Sequence, residues 1–143
     1  MKMALSKFKR QGGKFISINP VRTGYQAIAD EWIAIKPGTD GVFALAMVHV
    51  LLKHRLIDEE FLVRYTNAPQ LIVDTPGQAG HGMLLRSEDD KPLIWCQQSD
   101  GFAIATSPEV VPALVGEYKT PDGTPVRTAM SLILEKYLVD EYS

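Results

Sequence analysis

Two short stretches of this chain hold most of the side chains that can do chemistry on a ligand. In Asn19-Pro20-Val21-Arg22-Thr23 the Asn side chain can bond a ribose hydroxyl, Arg22 can pair with a phosphate through two parallel N–H donors, and Thr23 can donate to one. In Pro37-Gly38-Thr39-Asp40 the chain turns into a helix, whose first backbone N–H groups and dipole favour an anion. The Asp40 carboxylate repels a bare phosphate. It suits guanine better, because the Watson–Crick edge of that base offers neighbouring N–H donors which one carboxylate accepts together. Taken singly, each stretch reads more simply as an ordinary turn or an ordinary helix cap. Two of them, each leaving a short strand of one α/β unit, point more sharply to a ligand held at the carboxyl ends of strands.

The remaining reactive groups are dispersed. One cysteine, Cys96, excludes an internal disulfide and a four-thiolate iron-sulfur cluster, and in the run Leu-Ile-Trp-Cys-Gln it reads as a small buried thiol. His49 and His54 are five apart and do not stack on one helical face, and His81 lies in a loop between two glycines. Three scattered histidines do not make a metal site. Asp89-Asp90 and Asp58-Glu59-Glu60 read as solvated charges.

The elements that must position the two loops follow from local pattern. Residues 2–11 read as the end of a helix whose beginning lies upstream, stopped by Gly12 and Gly13, with Lys9 and Arg10 at its negative dipole end. Residues 14–18 alternate as a strand and stop at Asn19-Pro20. Residues 23–30 suggest a brief helix, and 32–35 a second strand, buried on both faces and parallel to the first. A helix over 41–55 opens at Thr39 or Asp40 and is apolar nearly all round, so it is expected to be largely buried. Asp58 caps a short helix through Tyr65. From Asn67 the texture changes to short apolar runs at 71–73, 83–85, 93–95 and 102–105. A hairpin signal follows at 118–126, with Asp122-Gly123 in its turn, and a final helix runs from Thr128 to about Val139.

Bulk properties narrow the function classes. The chain has 143 residues, 45% hydrophobic and 22% charged, with 15 basic against 17 acidic side chains and a net charge of −2. That balance implies no polyanion partner, and the cluster Lys7, Lys9, Arg10 and Lys14 is a solvated helix end rather than a nucleic-acid face. The longest apolar run, 42–52, is interrupted by His49 and falls short of the roughly 18 residues that span a bilayer. No signal-peptide pattern precedes it, so the chain is expected to be cytosolic or a piece whose targeting signal lies elsewhere.

The run from Ile18 through Thr66, INPVRTGYQAIADEWIAIKPGTDGVFALAMVHVLLKHRLIDEEFLVRYT, is similar to the molybdopterin oxidoreductases of the dimethyl sulfoxide reductase type. Members of that family carry a strand ending in D-P-R or N-P-x-R-T, an alanine-rich turn with A-D, and an R/K-P-G-T-D motif opening a buried helix. The resemblance covers residues 12–66 strongly and the later stretches more weakly. It implies that the two loops grip one guanosine diphosphate arm of a bis-molybdopterin guanine dinucleotide, through Asn19, Pro20, Arg22 and Thr23 and through Gly38, Thr39 and Asp40. Position 19 departs from the commoner aspartate; an Asn still accepts from a ribose hydroxyl but loses the charge-assisted component. The family's metal ligand precedes the first strand, which takes Cys96 out of that role. Its amino-terminal cysteine cluster, metal ligand and carboxyl-terminal cofactor domain have no counterpart here.

The expectation is therefore an α/β fold: a partial doubly wound, Rossmann-like sheet with helices over residues 1–66, then a small hairpin-containing α+β region over 67–143. The function expected is that of a fragment of a molybdenum or tungsten oxidoreductase, inactive alone, retaining no cofactor, with the remaining domains of the parent enzyme as partners and the parent cytoplasmic or periplasmic. The rival is a free-standing nucleotide-binding or scaffold domain without catalysis.

Overall fold

In the computed structural model, residues 2–22, 24–107 and 109–137 are described. Their elements run in the order α1 (Lys2–Arg10), β1 (Ile16–Ile18), a 3-10 turn (Gly24–Ile28), β2 (Glu31–Ile33), α2 (Asp40–Lys53), α3 (Glu59–Tyr65), β3 (Leu71–Val73), β4 (Leu93–Cys96), β5 (Gly101–Ile104), β6 (Glu117–Lys119), β7 (Pro125–Thr128) and α4 (Ala129–Lys136). The fold class is mixed α/β, as expected. The chain divides into two compact units, Met1–Val48 and His49–Ser143.

In the first unit, α1 ends where the glycines require. The Gly12 N–H donates to the Lys9 carbonyl at 3.0 Å and the Gly13 N–H to the Phe8 carbonyl at 3.0 Å. This paired closure needs a left-handed residue, and Gly12 supplies it at φ +87°. The strands β1 and β2 pair in parallel, with Ile16 opposite Glu31, Ser17 opposite Trp32 and Ile18 opposite Ile33. Below this ladder the Asp30 N–H donates to the Phe15 carbonyl at 2.8 Å, and the Phe15 N–H donates to the Asp30 carboxylate at 2.8 Å. Lys9 clamps the same corner, with its ammonium 2.8 Å from the Asp30 carboxylate and donating to the Ile28 carbonyl at 2.8 Å.

Two burial expectations fail in this part of the chain. The second strand is not buried on both faces: Glu31 and Ala34 are exposed, and Trp32, Ile33 and Ile35 are half-buried. Nor is α2 largely buried; Val42 is 67% exposed and Met47 51%, and Leu52 alone among its described residues is buried. An apolar surface states how much cover an element needs; among the described residues that cover is full at Leu52 and partial at Phe43 and His49.

The second unit holds the core. Leu52, Ala68, Leu114, Met130 and Leu134 form its buried cluster, with Ile57, Leu62, Val63 and Tyr137 packed against it. A three-stranded antiparallel sheet in the order β3-β7-β6 buries Leu71, Val126 and Thr128 completely. β4 and β5 form a separate antiparallel pair, on which Trp95 stacks with Tyr118 at 4.1 Å between ring centroids. Local capping follows the sequence: Asp58 accepts from the Phe61 N–H at 2.9 Å, and Thr128 from the Ser131 N–H at 3.2 Å. The hairpin also forms, with Tyr118 opposite Val126 and a turn closed from Gly123 N–H to Thr120 carbonyl at 2.8 Å. The run 83–85 forms no strand, only a bridge between Leu84 and Ile72. The final helix is described to Lys136 with Tyr137 as its cap; the rest of its expected length lies outside the described residues.

Candidate functional site

Both candidate loops leave the same ends of two paired strands. Because β1 and β2 run parallel, the residue after Ile18 and the residues after Ile33 emerge at one edge. The Asn19 N–H extends the ladder by one bond, to the Ile33 carbonyl at 3.1 Å. Antiparallel pairing places successive exits at opposite edges, so the parallel register is what starts both segments from the same end of the strand pair.

The first loop is held by its own polar groups. The Asn19 side-chain oxygen accepts the Val21 N–H at 3.0 Å, a local turn that spans Pro20, which has no N–H of its own to give. This bond commits one lone pair of that oxygen, and the side-chain NH2 of Asn19 is a donor that an Asp lacks. The indole N–H of Trp32 donates to the Asn19 carbonyl at 3.0 Å. The Arg22 guanidinium lies over the Trp32 ring, 5.7 Å from its centroid, while Arg22 itself is exposed. Thr23 lies outside the described residues.

The second loop is a tight turn feeding a helix. The Thr39 N–H donates to the Lys36 carbonyl at 3.1 Å, and the Thr39 hydroxyl donates to the same oxygen at 2.7 Å. Pro37 and Gly38 occupy the two central positions, and Gly38 at φ +80° provides the left-handed residue such a turn demands. A side chain at Gly38 would meet nothing within 4 Å, so the backbone there is open to approach. The Thr39 carbonyl accepts from the Phe43 N–H at 3.0 Å and begins the helical ladder, which leaves Asp40 exposed in the first turn of a 14-residue helix. An acid there is favoured by the helix dipole whether or not it has a ligand.

From the shared end of the strand pair the chain leads to an amide and a guanidinium at Asn19 and Arg22 and, seven residues beyond Ile33, to a carboxylate at a helix start. Those donor types fit a nucleoside diphosphate: cationic and N–H donors for phosphate, and an acceptor for a base with N–H groups. The residue that sequence reasoning missed is Trp32, read only as a strand apolar. Its signal was the indole N–H, which needs an acceptor wherever it is even partly buried.

Other groups stay apart from this edge. Cys96 is 4% exposed, a buried thiol as expected. His49 bonds the Tyr137 carbonyl at 2.7 Å, and His81 lies 3.7 Å from Asp74. Arg127 gathers Asp74, Glu117 and Glu135; its Nε meets Glu117 at 3.0 Å as an ion pair without hydrogen-bond geometry. A groove of about 550 Å³ in the second unit, between residues 73–79 and 122–125, involves none of the candidate residues. Among the described residues no group of three His, Cys, Asp or Glu side chains is arranged to hold a metal. No described helix is long and apolar enough to cross a membrane.

No family profile matches the chain. It is, however, 47% identical over 145 aligned positions to a sulfite dehydrogenase subunit from Allochromatium vinosum, covering 95% of this chain and 15% of that protein. It is 38% identical over 139 positions to a putative dimethyl sulfoxide reductase catalytic subunit from Halobacterium salinarum, covering 90% of this chain and 16% of that protein. A third relative is the molybdopterin-containing thiosulfate reductase subunit from Salmonella typhimurium, 41% identical over 59 positions, or 41% of this chain and 8% of that protein. The chain thus spans about one sixth of the length of the first two relatives.

Proposed function

Because this chain belongs to the molybdopterin oxidoreductase family, we propose that it serves within a larger oxidoreductase as part of the pocket for the guanosine diphosphate arm of a bis-molybdopterin guanine dinucleotide. The observation that supports the reading is the parallel register of β1 and β2, from whose common end the chain runs into both loops.

Arg22 pairs with a phosphate of the arm, and Thr23 donates a hydroxyl to it. Asn19 and Pro20 shape the strand exit. With its oxygen engaged by the Val21 N–H, Asn19 bonds the ribose through its remaining lone pair or donates its NH2 group. Gly38 lets the backbone approach the ligand, Thr39 starts the helix beside it, and Asp40 accepts the N–H donors of guanine. The molybdenum or tungsten centre, when bound, supplies the two-electron chemistry; these residues bind and orient. The segment alone is catalytically silent. The exposed apolar sides of α2 support this embedding, since a helix of that composition needs cover on several sides.

The test is a titration of GDP and of ADP into the chain at millimolar concentration, followed by the amide resonances of Asn19, Val21, Thr39 and Asp40. GDP is expected to move these resonances more than ADP does. Shifts confined to other regions, or equal shifts with both nucleotides, overturn the guanine assignment.

A further inference from the structure

The geometry points to Trp32 as a positioning residue of the nucleotide site: its indole N–H fixes the Asn19 backbone while its ring face holds Arg22 for phosphate. The inference rests on the function proposed above and adds to it a residue whose side chain need not touch the ligand.

Trp32 sits on β2 opposite Ser17, so it is the neighbour of the strand that leads into Asn19. Its N–H reaches back across 13 residues of sequence to the Asn19 carbonyl at 3.0 Å. Asn19 is then secured at three points: its N–H by Ile33, its carbonyl by Trp32 and its side-chain oxygen by Val21. The loop leaves the sheet in one direction because the last residue of the exit cannot rotate without breaking one of these bonds.

Arg22 gains from the other side of the same residue. A guanidinium 5.7 Å from a tryptophan ring centroid lies within cation–π range. With its central carbon over the ring, the exposed guanidinium keeps N–H donors open to solvent, the kind of donors that meet a phosphate in a two-pronged pair. An exposed arginine without such a platform samples many rotamers and must lose that freedom on binding. The aromatic face removes part of that freedom before the ligand arrives, and the strength of a cation–π contact at an exposed site caps the resulting gain in affinity at about two- to five-fold.

The test uses the 143-residue chain in three forms: unsubstituted, Trp32→Phe and Trp32→Leu. The readouts are the Arg22 side-chain resonances, which a ring face shifts upfield, the Asn19 amide, and GDP affinity by NMR titration. The expected result is an upfield Arg22 that is kept in Trp32→Phe and lost in Trp32→Leu, with GDP affinity falling about two- to five-fold in Trp32→Leu and partly recovered in Trp32→Phe. Slow hydrogen exchange of the Asn19 amide, which donates to Ile33, reports that the strand pair is intact, and Trp32→Phe serves where the Leu variant loses it. GDP affinity equal in all three forms, with the Arg22 shift lost in Trp32→Leu, overturns the positioning role and leaves the nucleotide site standing. GDP without effect on Asn19, Arg22 or Thr39 in the unsubstituted chain overturns the site and the inference together.

Discussion

The Asn19 N–H donates to the carbonyl of Ile33 at 3.1 Å, one residue past the last paired position of β1 and β2. That bond ties the two candidate loops together at their roots, since everything that follows Asn19 and everything that follows Ile33 starts from a shared, parallel register.

Asp40 is expected to discriminate guanine. Asp40→Asn keeps one acceptor oxygen but sets an NH2 donor against the N–H groups of the base, and an imperfect buried polar match costs about 1 to 3 kcal/mol. In the longer enzyme carrying this segment, cofactor content after purification should fall in the variant. A full complement in the Asp40→Asn enzyme makes Asp40 a helix cap and nothing more.

The corner below the strands should be acid-sensitive. The Lys9 ammonium, hydrogen-bonded to Asp30, and the Phe15 N–H hold the Asp30 carboxyl below its ordinary value. A lowered native value means that the contribution is complete above the unfolded carboxylate pKa and is lost as pH falls through the lower folded value. A carboxyl carbon titration should place the Asp30 midpoint below that of an unfolded Asp, and Lys9→Met should move it up. An unchanged midpoint in Lys9→Met removes the clamp.

Substitution on the open sides of α2 should leave the fold intact. Val42→Glu with Met47→Lys is expected to change the unfolding free energy by no more than about 0.5 kcal/mol, as at exposed positions generally. A loss of about 2 kcal/mol or more, typical of a packed core side chain, means that the helix is covered within this chain.

The second unit should depend on Thr128. This residue is fully buried, caps α4, and its hydroxyl lies 2.9 Å from that of Ser131, which in turn accepts the Gly116 N–H at 2.9 Å. Thr128→Val keeps the shape and removes the cap, so a loss of about 1 to 3 kcal/mol is expected in urea unfolding. A loss near zero shows that water or another group takes over the Ser131 N–H.

Purified chain is expected to carry no molybdenum, tungsten or iron. A single cysteine cannot supply four thiolates, and the described residues hold no three-residue cluster of metal ligands. Elemental analysis after extensive dialysis checks it, and close to one metal atom per chain overturns it.

The chain's own sequence determined the features that depend on near neighbours. Gly12 ends α1 because only a glycine takes φ +87° without cost, and Asp58 and Thr128 cap their helices because their side chains reach an N–H three residues on. Asp122-Gly123 closes its hairpin, and the two loop motifs carried the family resemblance in their residue types. Tertiary structure alone decided the rest. Arg127 meets Asp74 from 53 residues away, and Trp32 meets Asn19 and Arg22 from the adjacent strand, pairings that no local pattern contains. The exposure of α2 is the sharpest case: its composition specifies an appetite for apolar contact on every side, but burial depends on which surfaces the rest of the polypeptide brings against it, and among the described residues of this helix only Leu52 is buried.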